Sequence, residues 1–541
     1  MSSGGSGSGG KPERVDVIVT DTDEGAPAEL TAAQAPVVLH YQGEPGDAAK
    51  GDGKSLKARA VRSSMWTMVA FGFGQVLRVV SSPILAWFLT PADFGTVGLI
   101  SVFVTGLAAL SDAGIEQAII QNKRGDDPVF LNTAWTLHVV RGFGQFLGCC
   151  LIAYPVYWYF SGDTNTNSHY LLWMLPVAGI GPLLSGFNST RQFTLNRHLQ
   201  LGRITALTLA YQVIGVVAQI AIAVRWRSPW AIIVGGLVSN AFWLFATHCL
   251  MPGIRNRFCW NREARQELMK FGKWIMVSTL ITYTAMQIDR PLMAKLLDAS
   301  WLGLYMVALN LVRLPAEVIT RLASVTLYPT LARAAEQRPE DLRKVLWKAR
   351  GLILTVSLAL MVGVVLGAPI FIALAFKPEW HRAGFLTQWA AIGAWFMLLQ
   401  ASADRALLAL GKTKPMAISN LLNLVVTVVG GFAGRYVDMT LLGNEGGIVG
   451  FMLGTAAGKM AGHMLIQVEM ARSGIPIFRQ DTLYSALLLA ICLLGVGLPR
   501  LMPKVLHGTV DEMFLYNAVA AVAICTVACS WAGLRVLKGI R

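Results

Sequence analysis

The chain has 541 residues, 54% of them hydrophobic and 14% charged, with a net charge of +15 and a mean hydropathy of +0.52. Soluble domains carry about a quarter charged residues, so this balance excludes an ordinary soluble enzyme and indicates a polytopic membrane protein. Lys and Arg are spread through short loops rather than gathered on one polar face, which excludes a nucleic-acid partner in favour of a membrane.

Residues 1–57 are expected to form a disordered cytoplasmic tail. Stretches such as SSGGSGSGG (linker-like), DTDEGAPAEL and GEPGDAAKGDG hold too little apolar surface to offset the entropy of ordering. AAKGDGKS (Ala48–Ser55) ends like a phosphate-binding loop, but Ala48 stands where the first Gly belongs and no strand precedes it. No nucleotide site is expected there. No cleavable signal is evident before the first apolar run near Met65, so the first helix is expected to direct insertion. Lys50, Lys54, Lys57, Arg59 and Arg62 make a basic collar before it.

A bilayer core of about 30 Å needs about 20 apolar residues per helix. That ruler gives an all-α fold of twelve to fourteen transmembrane helices, the full count being centred near Val76, Val104, Gly144, Gly179, Ile214, Leu237, Thr282, Val312, Leu360, Trp395, Thr427, Gly454, Ile491 and Ala523. The series contains a repeat. SPILAWFLTPADFGTV (Ser82–Val97) aligns without a gap with RPLMAKLLDASWLGLY (Arg290–Tyr305), 208 residues on, setting Pro83 on Pro291, Ala86 on Ala294 and Gly95 on Gly303. Each copy closes one apolar segment and opens the next, as expected of two pseudo-symmetric lobes around a central cavity. The expected divisions are an N-lobe at 58–254, a cytoplasmic linker at 255–273, a C-lobe at 274–470 and an additional helix pair at 471–541.

The loops set the orientation. NKRGDD (Asn122–Asp127), RQFTLNRHLQLGR (Arg191–Arg203), RNRFCWNREARQELMKFGK (Arg255–Lys273) and ARAAEQRPEDLRKVLWKAR (Ala332–Arg350) all fall on one side, while SGDTNTNSH (Ser161–His169) on the other has no Lys or Arg. The positive-inside rule then puts both termini in the cytoplasm. Leu268, Phe271 and Trp274 sit at helical spacing under a basic face, which predicts an interfacial helix over Asn261–Trp274, and a second amphipathic helix is expected over Pro339–Arg350. Gly446, Gly450, Gly454, Gly458 and Gly462 recur every four residues, a stripe on which a neighbouring helix can pack closely. Cys149, Cys150, Cys492, Cys525 and Cys529 lie in apolar runs without metal-ligand spacing and are expected to be small buried residues.

An ionisable side chain inside a membrane helix costs about 2.5–3.5 kcal/mol on insertion scales, so each one needs a reason. Arg78, Arg141, Arg290, Arg313 and Lys459 are candidates to line a translocation cavity, and their excess over acids favours an anionic cargo. Asp112, Asp289 and Glu317 are candidates either to hold those cations in place or to exchange protons; Arg321 and the Asp404–Arg405 pair also lie within segments. No HExxH, GxSxG or acidic catalytic pair in a soluble region is present. No catalytic residue, cofactor or metal is therefore expected.

Trp87–Gln121 (WFLTPADFGTVGLISVFVTGLAALSDAGIEQAIIQ), Leu302–Val345 (LGLYMVALNLVRLPAEVITRLASVTLYPTLARAAEQRPEDLRKV) and Ala403–Asn423 (ADRALLALGKTKPMAISNLLN) resemble bacterial polysaccharide and O-antigen repeat-unit flippases. These are the polysaccharide transporters of the multidrug/oligosaccharidyl-lipid/polysaccharide exporter superfamily, and the likeness runs from about Ser64 to Arg479. The resemblance implies a cargo, a polyprenyl-pyrophosphate-linked oligosaccharide moved from the cytoplasmic to the periplasmic leaflet of the inner membrane. It also implies a glycan polymerase and a chain-length regulator as partners beside membrane lipid. Two competing readings predict other features. A multidrug or cation exporter of the same superfamily calls for a cavity rich in acids and aromatics, and a polytopic glycan polymerase or ligase calls for a large periplasmic loop.

Overall fold

The structure is a computed structural model describing residues 53–506 apart from 113, 162–167, 199, 328–329, 332–341 and 441–446. Residues 1–52 of the tail, the fourteenth segment at Ala523, Gly446, Cys525 and Cys529 lie outside the described residues, while residues 53–57, expected as disordered tail, open the first helix instead. The first half holds α1 (Gly53–Ala86), α2 (Pro91–Leu110), α3 (Ile115–Gln121), α4 (Pro128–Ser161), α5 (Ser168–Gly186), α6 (Arg191–Arg197), α7 (Leu201–Trp226) and α8 (Trp230–Phe245). The second holds α9 (Arg262–Gln287), α10 (Asp289–Leu296), α11 (Ala299–Leu322), α12 (Leu342–Ala375), α13 (Arg382–Ala409), α14 (Lys414–Thr440), α15 (Ile448–Arg472) and α16 (Phe478–Leu506).

Thirteen of the fourteen expected segment centres fall inside α1, α2, α4, α5, α7, α8, α9 and α11 to α16. Among the described residues, eight helices are long and apolar enough to cross a membrane, or nine if α5 and α6, which meet at a 57° bend, form one broken span. The expected count of fourteen is thus not reproduced among the described residues. The chain is a multi-pass membrane protein, and many large side chains face outward, including Leu151, Trp158, Trp173, Val217 and Leu374. Such exposure suits a hydrocarbon surrounding. Cys150 also faces outward, against the expectation of burial, while Cys149 on the other side of α4 is buried.

The turn Thr90-Pro91-Ala92-Asp93 starts α2 with a reciprocal cap. Asp93 N–H donates to Thr90 Oγ1 (3.3 Å) and Thr90 N–H donates to Asp93 Oδ2 (2.9 Å), with Pro91 in the first turn. Such a cap contributes about 1 kcal/mol. The corresponding position in the second copy is Asp298, the N-cap of α11. The two helices then pack on each other at the repeat itself: a Cβ on Gly95 would meet the Ala299 carbonyl and stand 3.0 Å from Gly303 N, and one on Gly303 would meet the Pro91 carbonyl and stand 3.1 Å from Gly95 N. Nearby, the halves also meet where the α1–α2 turn reaches the α12–α13 turn. Trp87 Nε1 donates to the Ala375 carbonyl (3.1 Å), and Phe94 sets its edge on the fully buried Trp380 at 5.0 Å.

Two expected surface helices are corrected. Asn261 caps Ala264 N–H (3.0 Å) and starts α9, which runs unbroken to Gln287, so no separate interfacial helix ends near Trp274. Leu268 is buried against the first half beside Ile119, Phe130 and Phe193 rather than facing a leaflet; the side chains of Phe271 and Trp274 lie outside the described residues. Likewise the described part of Pro339–Arg350 is the opening of the 34-residue α12. The glycine stripe packs on α14: Gly450 and Gly454 face the backbone of Gly434 and Gly430, Gly458 faces Thr427 and Asn423, and Gly462 faces Ser419.

Candidate functional site

The ionisable residues singled out above separate into two groups. The larger one sits where α10, α11 and α15 converge beside α2. Asp289 and Arg290 open α10 and are both buried; Tyr305 of α11 donates its hydroxyl to Asp289 Oδ2 at 2.6 Å. Arg313, two turns further along α11, lies within electrostatic reach of Asp289, Arg290 and Glu317. Lys459, on α15, reaches Asp289, Arg290 and Arg313 and lies over Gly393 of α13, where a Cβ would stand 3.2 Å from its Nζ. Tyr283 of α9, within reach of Arg290 and Arg313, donates to the Val102 carbonyl of α2 at 2.5 Å. Three cations and one acid therefore meet in one place.

Glu317, one turn beyond Arg313, faces α1. It accepts from Arg78 Nη1 (3.2 Å) and from the Gln75 amide, and the Arg78 and Glu317 side chains are 50% and 37% exposed. Arg321, a turn further, lies over the Phe71 ring at 5.9 Å. Around this group Gln75 Oε1, Gln287 Oε1, Asp289 Oδ1 and Arg290 Nε are buried with no hydrogen-bond partner among the described residues. Native interiors leave few such atoms unpaired, and a site built to take a polar ligand would.

Arg141 does not join this group. It lies on α4 and pairs with Asp112 just beyond α2, Nη1 to Oδ1 at 3.5 Å, each side chain 24% exposed. The pair opens on a separate cavity of about 450 Å³ in the first half, between α3, α4, α6 and α7, also lined by Glu116, Gln117, His138, Gln192 and Asn196. The sequence reading put Arg141 with the other arginines because hydropathy places residues along a helix and not around it.

A buried network went unseen in the sequence. Arg350, fully buried on α12, reaches Asp481 of α16 (Nη2 to Oδ1, 2.6 Å), while its Nε donates to Ser402 Oγ (2.9 Å) and its Nη1 to Gln480 Oε1 (3.1 Å). His463 Nε2 on α15 meets Asp481 Oδ2 at 3.0 Å, and the Gln467 amide donates to the same oxygen at 2.7 Å. In sequence Arg350 closes the basic stretch Ala332–Arg350 expected as a cytoplasmic loop; only the three-dimensional pairing with a residue 131 positions away reveals its role. Several loop cations are equally committed. Arg191 donates to the His248, Met251 and Ile254 carbonyls, and Arg197 donates to the carbonyls of Ile119, Ile120 and Asn122 at the end of α3.

Comparison with known proteins adds to this geometry. A family model described as polysaccharide biosynthesis protein matches residues 84–384. The lipopolysaccharide biosynthesis protein WzxC of Escherichia coli (strain K12) is 21% identical over 332 residues, 60% of this chain and 65% of its own. The succinoglycan biosynthesis transport protein ExoT of Rhizobium meliloti (strain 1021) is 22% identical over 345 residues, 63% of this chain and 66% of its own. The matches thus span slightly less than two thirds of those relatives. A solved structure of lipid II flippase MurJ in an inward closed conformation superposes with a TM-score of 0.65 at 12% identity, covering 87% of this chain and 99% of that one. At that identity the likeness speaks for the fold.

Proposed function

The chain belongs to the polysaccharide biosynthesis protein family, and on that premise we propose that it is a flippase for a polyprenyl-pyrophosphate-linked polysaccharide repeat unit. It carries the unit from the cytoplasmic to the periplasmic leaflet of a bacterial inner membrane, with both termini cytoplasmic, and feeds surface polysaccharide synthesis alongside a glycan polymerase and a chain-length regulator. Two lobes rock about the Gly95–Gly303 contact and expose the site between them to either side in turn.

The observation that carries the reading is the sign of the clustered charge, with Asp289 and Arg290 buried and Arg313 and Lys459 half-buried. Arg290, Arg313 and Lys459 outnumber Asp289, beside buried polar atoms that lack partners. Cations held away from water attract an anion strongly, and a pyrophosphate is a compact anion whose lipid tail never has to leave the hydrocarbon. A carrier of organic cations calls for the opposite balance. Arg78 and Glu317, paired at 3.2 Å across the two halves, act as an interlobe contact at the rim of the site.

The test is to delete the gene and extract lipid-linked oligosaccharides. The proposal expects a complete repeat unit on its polyprenyl pyrophosphate to accumulate in the inner leaflet while the surface polymer is lost. Accumulation in the outer leaflet would indicate a polymerase instead. No accumulation, with raised sensitivity to cationic dyes, would indicate a cation exporter.

A further inference from the structure

The cavity of about 450 Å³ in the first half lies within the size range of small-molecule sites, roughly 300–1,000 Å³. Its chemistry differs from that of the cation cluster. Arg141 is paired with Asp112. Glu116 is exposed at the cavity mouth, where partial desolvation raises its carboxyl above the ordinary value against a hydrogen bond with Asn196 that acts the other way. Gln117, Gln192 and Asn196 add neutral amides, and His138 lies 5.8 Å from the Phe193 ring. The wall thus combines donors and acceptors of little net charge with an aromatic ring and apolar side chains. An anion finds no surplus of cations here, and a purely apolar ligand would leave the polar groups unpaired. A pyranose ring, with hydroxyls around its edge and C–H groups on its faces, can satisfy both parts.

The position fits as well. Tyr283, which ties the cation cluster to α2, bonds the Val102 carbonyl and lies against Gly106. From Val102 the helix runs roughly 12 Å to its end at Leu110, and Asp112 follows two residues later. From the cavity and its place along α2 we infer that it is a saccharide subsite: it binds sugar rings of the cargo while the Arg290–Arg313–Lys459 cluster holds the pyrophosphate. The inference rests on the flippase reading above and assigns Gln117, Asn196, Glu116 and His138 to recognition of the glycan.

The full chain in lipid nanodiscs is tested by saturation-transfer NMR against D-glucose, D-galactose, D-glucuronic acid and their β-linked disaccharides. The expected result is transfer to at least one saccharide that drops at least fivefold in both Gln117→Ala and Asn196→Ala and persists in Arg313→Ala. Using both cavity variants leaves one to decide if the other misfolds. Transfer that survives in the cavity variants, or no transfer from the parent to any saccharide, overturns the subsite. The flippase reading is scored separately by leaflet-resolved accumulation of the repeat unit. If the parent gene relieves that accumulation and a Gln117→Ala/Asn196→Ala chain does so at the same rate, the subsite falls and the flippase stands.

Discussion

Gly95 and Gly303, equivalent positions of a repeat 208 residues long, lie against each other at the contact between α2 and α11. Each backbone fills the space that a Cβ on the other helix would occupy. Overpacking of this kind costs typically 1–3 kcal/mol, and neither neighbour is a flexible side chain that could move aside. Gly303→Ala should therefore lower the melting temperature in detergent and reduce repeat-unit transport. Gly236→Ala is the control, because a Cβ there meets nothing within 4 Å on α8; it should be neutral or stabilising by roughly 0.5–1 kcal/mol. Equal losses in both variants would show that the contact has no special demand for glycine.

The repeat and the glycine stripe were legible in the sequence because close backbone approach requires Gly at fixed spacing, and both reappear as contacts: Gly95 on Gly303, Gly454 on Gly430. Segment positions were legible because hydropathy reports burial in lipid. Rotation about a helix axis was not, which is why Arg141 was grouped with Arg290 and Arg313 although it pairs with Asp112 elsewhere. Charge in a presumed loop misled in the same way. Arg350 is as basic as its neighbours Arg343 and Lys348, which are exposed, and only its contact with Asp481 distinguishes it.

That buried contact makes a sharp prediction. Breaking a buried ion pair by removing one partner costs about 3–5 kcal/mol, because the remaining charge is left uncompensated. Asp481→Ala should strongly destabilise the second half, leaving Arg350 with only the neutral partners Ser402, Gln480 and the Leu399 carbonyl. The double variant Arg350→Met/Asp481→Leu removes both charges and should recover much of the loss. Melting of the parent, Arg350→Met, Asp481→Leu and the double variant as a thermodynamic cycle measures the coupling, and additivity of the single losses would contradict it.

Glu116 supplies a pH signature. Its carboxyl is raised by desolvation in the folded chain, so the folded state binds the proton more tightly than the unfolded state. Stability is then greatest below the ordinary carboxylate value of 4.5 and declines as pH rises through the raised value. Glu116 is more than a third exposed, so solvent screens much of this effect; Glu116→Gln, which keeps an amide able to bond Asn196, should raise the melting temperature only slightly at pH 7–8 and leave it unchanged near pH 4. A higher melting temperature at both ends would assign the gain to packing rather than to the charge.

The cation cluster makes opposite predictions for its acid and its bases. Asp289 lies among Arg290, Arg313 and Lys459 and accepts from Tyr305, so it offsets their mutual repulsion. Arg313→Ala and Lys459→Ala each remove a contact with a bound pyrophosphate. A hydrogen bond to a charged group contributes about 1.5–3 kcal/mol, so each variant should weaken binding of inorganic pyrophosphate roughly 10- to 150-fold. Asp289→Asn keeps the shape but removes the internal counter-charge. It should lower the melting temperature of the empty protein, because the clustered cations then face one another without the central acid, and tighten pyrophosphate binding, because the anion takes the place of that counter-charge. If Asp289 instead exchanges protons in the transport cycle, Asp289→Asn should uncouple transport from a proton gradient while binding stays unchanged. Calorimetric titration of pyrophosphate into the three variants decides between these roles. Weaker binding in Asp289→Asn would sink both the counter-charge assignment and the placement of the pyrophosphate among the three cations.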